Sequence, residues 1–152
     1  MRKVNVDEIE EEHWGTPTSG SGGFGKGLSE ALGRDPASLN IGERHPFDVE
    51  IQRIAPGDKP YAYHSHSAQW EFYYVIAGSG SVRDEGGSTK IVTGDAFLFQ
   101  PGQAHEFTND GTNDLVVICV ADNPIGESVY LPDRDTWFVR SPERTQVVRE
   151  KT

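Results

Sequence analysis

The chain has 152 residues, a formal net charge of −10, 35% hydrophobic residues, 17 glycines, 9 prolines and a single cysteine. That length suits one domain with a sizeable core, and the glycine and proline content points to short elements joined by tight turns. The acidity argues against a nucleic acid or an anionic membrane surface as partner, because both are bound by Lys/Arg clusters, and one thiol, Cys119, rules out an internal disulfide.

In chain order, residues 1–46 form an N-terminal acidic and glycine-rich arm with a lead-in segment. The N-terminus lacks the apolar core of a secretory signal, so a cytoplasmic location is the default. The stretch TPTSGSGGFGKG is a flexible cover or an ordered arm rather than a nucleotide cradle, since Lys26 is followed by Gly27 and not by Ser or Thr. Trp14 and Phe24 are isolated aromatics in that arm and should dock onto the barrel or onto a second subunit. Cys119, inside LVVICVA, reads as a buried, inert side chain. His13 and His45 have no companions and read as structural or solvated.

From residue 47 to 139 the pattern changes. Val49 and Ile51 alternate with Glu50, Gln52 and Ile54, which is the period of a strand. Strand-like runs then recur at Tyr61–His66, Trp70–Ala77, Ser81–Asp84, Thr89–Val92, Ala96–Phe99, His105–Thr108 and Leu115–Ala121, followed by SVYL. Between them stand GSG, DEGG, TGD, QPGQ and NDGTND. Such spacing, with no long helical pattern, indicates an all-β sandwich or barrel. Residues 140–152 read as a charged tail. No run approaches the ~20 apolar residues needed to span a bilayer.

The chemistry concentrates in GDKPYAYHSHSAQWEFYYVIAG. His64 and His66 share a face of their strand, roughly 7 Å apart. Glu71 enters the next strand on a face with Tyr73, Val75 and Ala77, while Trp70, Phe72, Tyr74 and Ile76 take the other. A glutamate on a buried face is costly unless it is paired or bound to a metal. His105 opens a later strand with Phe107 on its face. Three imidazoles and one carboxylate suit one divalent ion: Zn, Fe, Mn, Ni or Cu. Gln69, Tyr61, Tyr63, Tyr73 and Phe107 are candidates to line a pocket. Arg53 reads as solvated or at an edge, although an inward arginine would suit a carboxylate ligand. By parity from His105, Glu106 points outward.

Two spacings carry a family resemblance. The first is Gly57, six residues, His64-x-His66, four residues, Glu71, six residues, Gly78. The second is Gly94, seven residues, Gly102, two residues, His105, three residues, Asn109. Together they resemble the two motifs of the cupin superfamily over roughly Val49 to Ala121. One departure is that Pro101 stands directly before Gly102 rather than two residues before it. The resemblance implies a jelly-roll (double-stranded β-helix) barrel with one metal ion held by His64, His66, Glu71 and His105. It implies a small-molecule ligand, such as a sugar derivative or organic acid, and either metal-dependent oxygenase, isomerase or lyase chemistry or non-catalytic binding and sensing. No base for catalysis is identifiable. The apolar outer face carrying Phe72, Tyr74 and Ile76 leads us to expect a homodimer.

Overall fold

The computed structural model describes residues 1–16, 21–140 and 145–149. Thirteen strands and a few short helical turns make up those residues: β1 (Glu12–Thr16), β2 (Ser21–Gly27), α1 (Leu28–Ala31), α2 (Ile41–Arg44), β3 (Phe47–Ile54), β4 (Ser65–His66), β5 (Glu71–Ala77), β6 (Ser79–Asp84), β7 (Gly87–Val92), β8 (Ala96–Phe99), β9 (Glu106–Thr108), β10 (Leu115–Asp122), β11 (Ser128–Leu131), β12 (Thr136–Arg140) and β13 (Thr145–Arg149). All pairings among them are antiparallel. One sheet has six strands in the order β1-β2-β3-β10-β5-β8. Opposite it lie β13-β12-β11-β4 and β7-β6-β9. A bridge between His64 and His105 joins these two into one surface. The chain is an all-β jelly-roll barrel.

Side-chain alternation builds the interior. In β10, Leu115, Val117, Cys119 and Ala121 are buried and their neighbours partly covered. In β5, Glu71, Tyr73 and Val75 are buried while Phe72, Tyr74 and Ile76 are exposed. With Ile54, Val82, Ile91 and Phe107, the apolar members form a core that draws on both sheets. Burying each such side chain is worth about 1.5–3 kcal/mol. Asn109 is fully buried in the corner after β9. Its amide donates to the carbonyls of Ile54 (2.7 Å) and Asn113 (2.9 Å), tying that corner to the end of β3. Gly78 closes the β5–β6 corner at φ +83°, where a Cβ would lie 2.2 Å from the Asp114 carbonyl oxygen.

Three features bear on the sequence expectation. Of the two expectations for the glycine-rich run, the ordered arm is the one found and the flexible cover is not: residues 21–27 are strand β2, paired with β1 and β3, and residues 17–20 lie outside the described residues. Its glycines make room for an indole. A Cβ on Gly25 would stand 2.6 Å from Trp14 Cζ3, and one on Gly23 would stand 3.0 Å from Cζ2. The expected strand over residues 61–66 shrinks to β4, with His64 paired only at the bridge. The C-terminal segment contributes β13 to the sheet through β12, a strand that the charge of the segment concealed. Residues 141–144 and 150–152 of the expected tail lie outside the described residues.

Candidate metal centre

His64, His66 and Glu71 come together at one end of the barrel, with their ligand atoms within 4.8 Å of one another. The strand geometry dictates this. His66 lies on β4 and Glu71 opens β5, so a short reversal brings imidazole and carboxylate face to face at 3.3 Å (Nε2 to Oε1). His105, fully buried, reaches the same carboxylate from the other sheet, with Nε2 at 3.0 Å from Oε2. Its ring stacks flat on Phe99, centroids 3.9 Å apart.

Each imidazole is oriented by its outer nitrogen. Nδ1 of His64 lies 2.8 Å from the Ala62 carbonyl, Nδ1 of His66 lies 3.2 Å from Glu127 Oε1, and Nδ1 of His105 lies 3.3 Å from the Gln103 carbonyl. With Nδ1 engaged by an acceptor, Nε2 is the nitrogen left to bind an ion. Glu127 is itself fixed, accepting from the backbone N–H groups of Ser67 and Ala68, both at 3.0 Å.

The inner atoms test whether a metal fits. His66 Nε2, Glu71 Oε2 and His105 Nε2 are buried and have no hydrogen-bond partner. They face one another closely without the alignment of a hydrogen bond, an arrangement that is costly for a protein to leave unsatisfied. Ligand atoms about 2.0–2.2 Å from a shared ion lie roughly 3–4 Å apart; the Glu71 contacts to His66 (3.3 Å) and His105 (3.0 Å) fall in that range, and the His64, His66 and Glu71 set spreads to 4.8 Å. The donor set fits a divalent metal.

The charges follow from the same geometry. Burial, then the neighbouring His105, holds His64 down to about 4, so its imidazole is neutral near pH 7. Burial also opposes charge on His66, but the carboxylates of Glu127 and Glu71 outweigh it and raise the imidazole to about 9. For Glu71 the burial penalty is outweighed by His105 and His66, and its carboxyl lies well below the usual range. Glu127 is likewise lowered, its burial offset by His66 and by the Ser67 and Ala68 amides.

His64, His66 and Glu71 open onto a cavity of about 680 Å³, a size typical of small-ligand sites. Gln69 and Tyr61 line it. Tyr73 and Phe107 do not; both are buried in the core and pack on each other, centroids 4.6 Å apart. Tyr63 stacks under the Arg83 guanidinium at 3.9 Å and also stands away from the cavity. Arg53 lies on the outer side of β3, paired with Glu11 (2.7 Å) and Asp114 (3.2 Å). Glu106 does point away from the site, but it is buried rather than solvated, in an ion pair with Lys59 at 2.5 Å.

Among the polar cavity residues that sequence reasoning missed are Glu127, Arg34, Arg44, Glu50 and Gln52. For Glu50 and Gln52 a signal existed. They alternate with Val49 and Ile51, and in this barrel the polar face of β3 is the inner one. Gln52 donates to Glu50, and burial raises the Glu50 carboxyl above its usual range. Nothing in the sequence marked Glu127 or Arg34, which sit on connections, or Arg44, on the four-residue α2.

Residues 50–121 match the family model of the cupin domain, so that segment is similar to the cupins, in keeping with the jelly-roll barrel. The chain is 31% identical over 68 residues to the oxalate-binding protein of Thermotoga maritima, a match covering 45% of this chain and 55% of that protein. The chain thus spans about half the length of that curated relative. A structure from Acidithiobacillus ferrooxidans, provisionally described as a sugar phosphate isomerase, superposes with a TM-score of 0.81 at 26% identity, over 94% of this chain and 86% of that one. A cupin sugar phosphate isomerase from Silicibacter pomeroyi gives 0.81 at 24% identity, over 98% and 93%; at that identity the likeness speaks for the fold alone.

Proposed function

We propose that this chain binds one divalent metal ion through His64, His66, Glu71 and His105 and uses it to act on a small polar molecule, a sugar derivative or an organic acid. The observation that carries the reading is the convergence of His66, Glu71 and His105 on one point, with buried atoms that lack a hydrogen-bond partner, beside a ligand-sized cavity. A bound ion there would supply Lewis acidity and a template for substrate oxygen atoms. The chain's own residues then have separable tasks. Ala62, Glu127 and Gln103 hold the three imidazoles in the ligating tautomer. Gln69 fixes the β4–β5 reversal by donating to the Asp122 carbonyl at 2.6 Å. Glu50, half-buried on the inner wall with a carboxyl that holds its proton more tightly than usual, is placed to exchange a proton with a cavity-bound molecule.

A second reading, a cupin that binds or senses a small ligand without turnover, is favoured by the likeness to an oxalate-binding protein. Reconstitution of metal-free protein with Fe(II), Mn, Zn or Ni and assay against sugars, sugar phosphates and carboxylic acids separates the two. Metal-dependent turnover that is lost in Glu71→Ala supports the enzyme. Binding that persists with an inert metal, with no turnover across the panel, supports the second reading.

A further inference from the structure

Two arginines line the cavity, Arg34 and Arg44, and their surroundings differ. Arg34 is neutralised: its guanidinium meets the carboxylates of Glu30 and Asp48 and donates to Asn123 Oδ1 at 2.7 Å. Arg44, at the end of α2, forms no ion pair among the described residues. Its Nη1 donates to the Pro36 carbonyl (2.5 Å), its Nε to the Asn123 carbonyl and its Nη2 to the Pro124 carbonyl (both 3.4 Å). A guanidinium has five N–H donors. Three are used by backbone carbonyls, which leaves one on each terminal nitrogen. Asn123 also donates to the His45 carbonyl at 3.2 Å, anchoring the segment that carries Arg44 to the end of β10.

Among the described residues the other cation of the cavity is matched, and its carboxylates face cations or the histidine cluster, except Glu50, which meets the neutral amide of Gln52. Glu71 and Glu127 face the His66 side, where a divalent ion would balance them. Asp48 faces Arg34. Glu50 is held by Gln52. The cation left without a carboxylate partner among the described residues is the guanidinium of Arg44, pre-positioned with donors to spare at the cavity wall. Such a fork recognises carboxylate and phosphate oxygens.

We infer that Arg44 is the anchor for an oxyanion group, a carboxylate or a phosphate ester, of the molecule that occupies this cavity. The inference rests on the cavity being a ligand site, as proposed above, but not on the metal. An anionic ligand would thus be held at two points, its charged end at Arg44 and its reacting end toward the histidine cluster. The arginine that sequence considered for this task, Arg53, faces outward and is already paired.

The test is calorimetric titration of metal-free protein with inorganic phosphate and, separately, with succinate, so that no metal contributes. Saturable binding is expected, weakened about tenfold or more in Arg44→Gln, partly restored in Arg44→Lys, and unchanged in Arg53→Gln, which removes the same charge outside the cavity. Whichever anion binds more tightly identifies the oxyanion of the natural ligand. In the wild-type chain, the Arg44 Nε–H resonance should shift on saturation, a readout independent of how the variants fold. The inference is overturned if neither anion binds, if Arg44→Gln binds as the wild type does, if Arg53→Gln weakens binding equally, or if the Arg44 resonance does not move. Metal content, measured separately, reports on the metal reading, so the two can fail independently.

Discussion

His64 and His105 exchange both of their backbone hydrogen bonds, the N–H of His64 to the carbonyl of His105 at 3.1 Å and the N–H of His105 to the carbonyl of His64 at 2.8 Å. The pair is the seam between β4 and β9, and it sets their rings 4.6 Å apart, centroid to centroid. Two residues distant in sequence thus become neighbours through register rather than through side-chain reach. Because this backbone bridge does not need the imidazole, His105→Ala should keep the fold while lowering metal affinity by at least about 100-fold, the upper range for loss of an outer-sphere partner. Competition with a chromophoric chelator measures it, and circular dichroism checks the fold.

Glu127 should matter for the metal without touching it. It holds His66 at 3.2 Å and the reversal through Ser67 and Ala68. Glu127→Gln should therefore reduce metal affinity about 10–100-fold, with the metal-to-protein ratio still reaching its wild-type value at saturation. The same chelator titration reads both quantities.

The pH dependence has a definite sign. In the metal-free protein His66 titrates near 9 against 6.5 for a free imidazole, so its stabilising contribution is present below 6.5 and lost as pH rises toward 9. His64 titrates near 4, so its neutral form is progressively penalised as pH falls from 6.5 to 4. Thermal stability of the metal-free protein should peak near pH 6.5. Metal uptake near pH 7 must displace the proton from His66, so affinity should rise up to about tenfold per pH unit until roughly 9. Calorimetry in buffers of different ionisation enthalpy should find about one proton released. No release would show that His66 is neutral before metal binds.

The arm braces the site. Trp14 stacks on Tyr61 (5.5 Å between centroids), donates its indole N–H to the Pro60 carbonyl (3.0 Å), and Tyr61 meets His64 edge-on at 5.9 Å. Gly25→Ala should displace the indole and cost about 1–3 kcal/mol, the usual range for overpacking. A changed tryptophan emission and a lowered denaturation midpoint would record this.

An apolar face awaits a partner. Phe72 and Leu98 pair across β5 and β8, and with Trp70, Tyr74 and Ile76 they are between 39% and 51% exposed. We propose a homodimer through this face, since contiguous apolar surface of this kind marks interaction sites. Sedimentation equilibrium should give twice the 16.8 kDa chain mass, and Phe72→Glu should return it to the chain mass.

Much of this was legible in the sequence because strand periodicity speaks directly about faces. The alternation in EFYYVIA separated Glu71 and Tyr73 from Phe72 and Tyr74, and the structure keeps that separation. Alternation does not say which face is inside. That is why Glu50 and Gln52 on β3 escaped notice: a polar inner wall looks like a solvated edge until the barrel closes. The glycines of β2 left a flexible cover and an ordered arm both open for a different reason. Local composition reports backbone freedom, whereas their actual role is to accept Trp14 from a neighbouring strand. Arg44, on the four-residue α2, and Glu127, on the connection between β10 and β11, act from places too short to carry a periodicity.

The central claim is that His64, His66, Glu71 and His105 hold one metal ion. Elemental analysis of the purified chain tests it most directly. One divalent ion per chain is expected after reconstitution and dialysis, with near-complete loss in the His64→Ala, Glu71→Ala double variant. A content well below one ion per chain, unchanged in that variant, would contradict it.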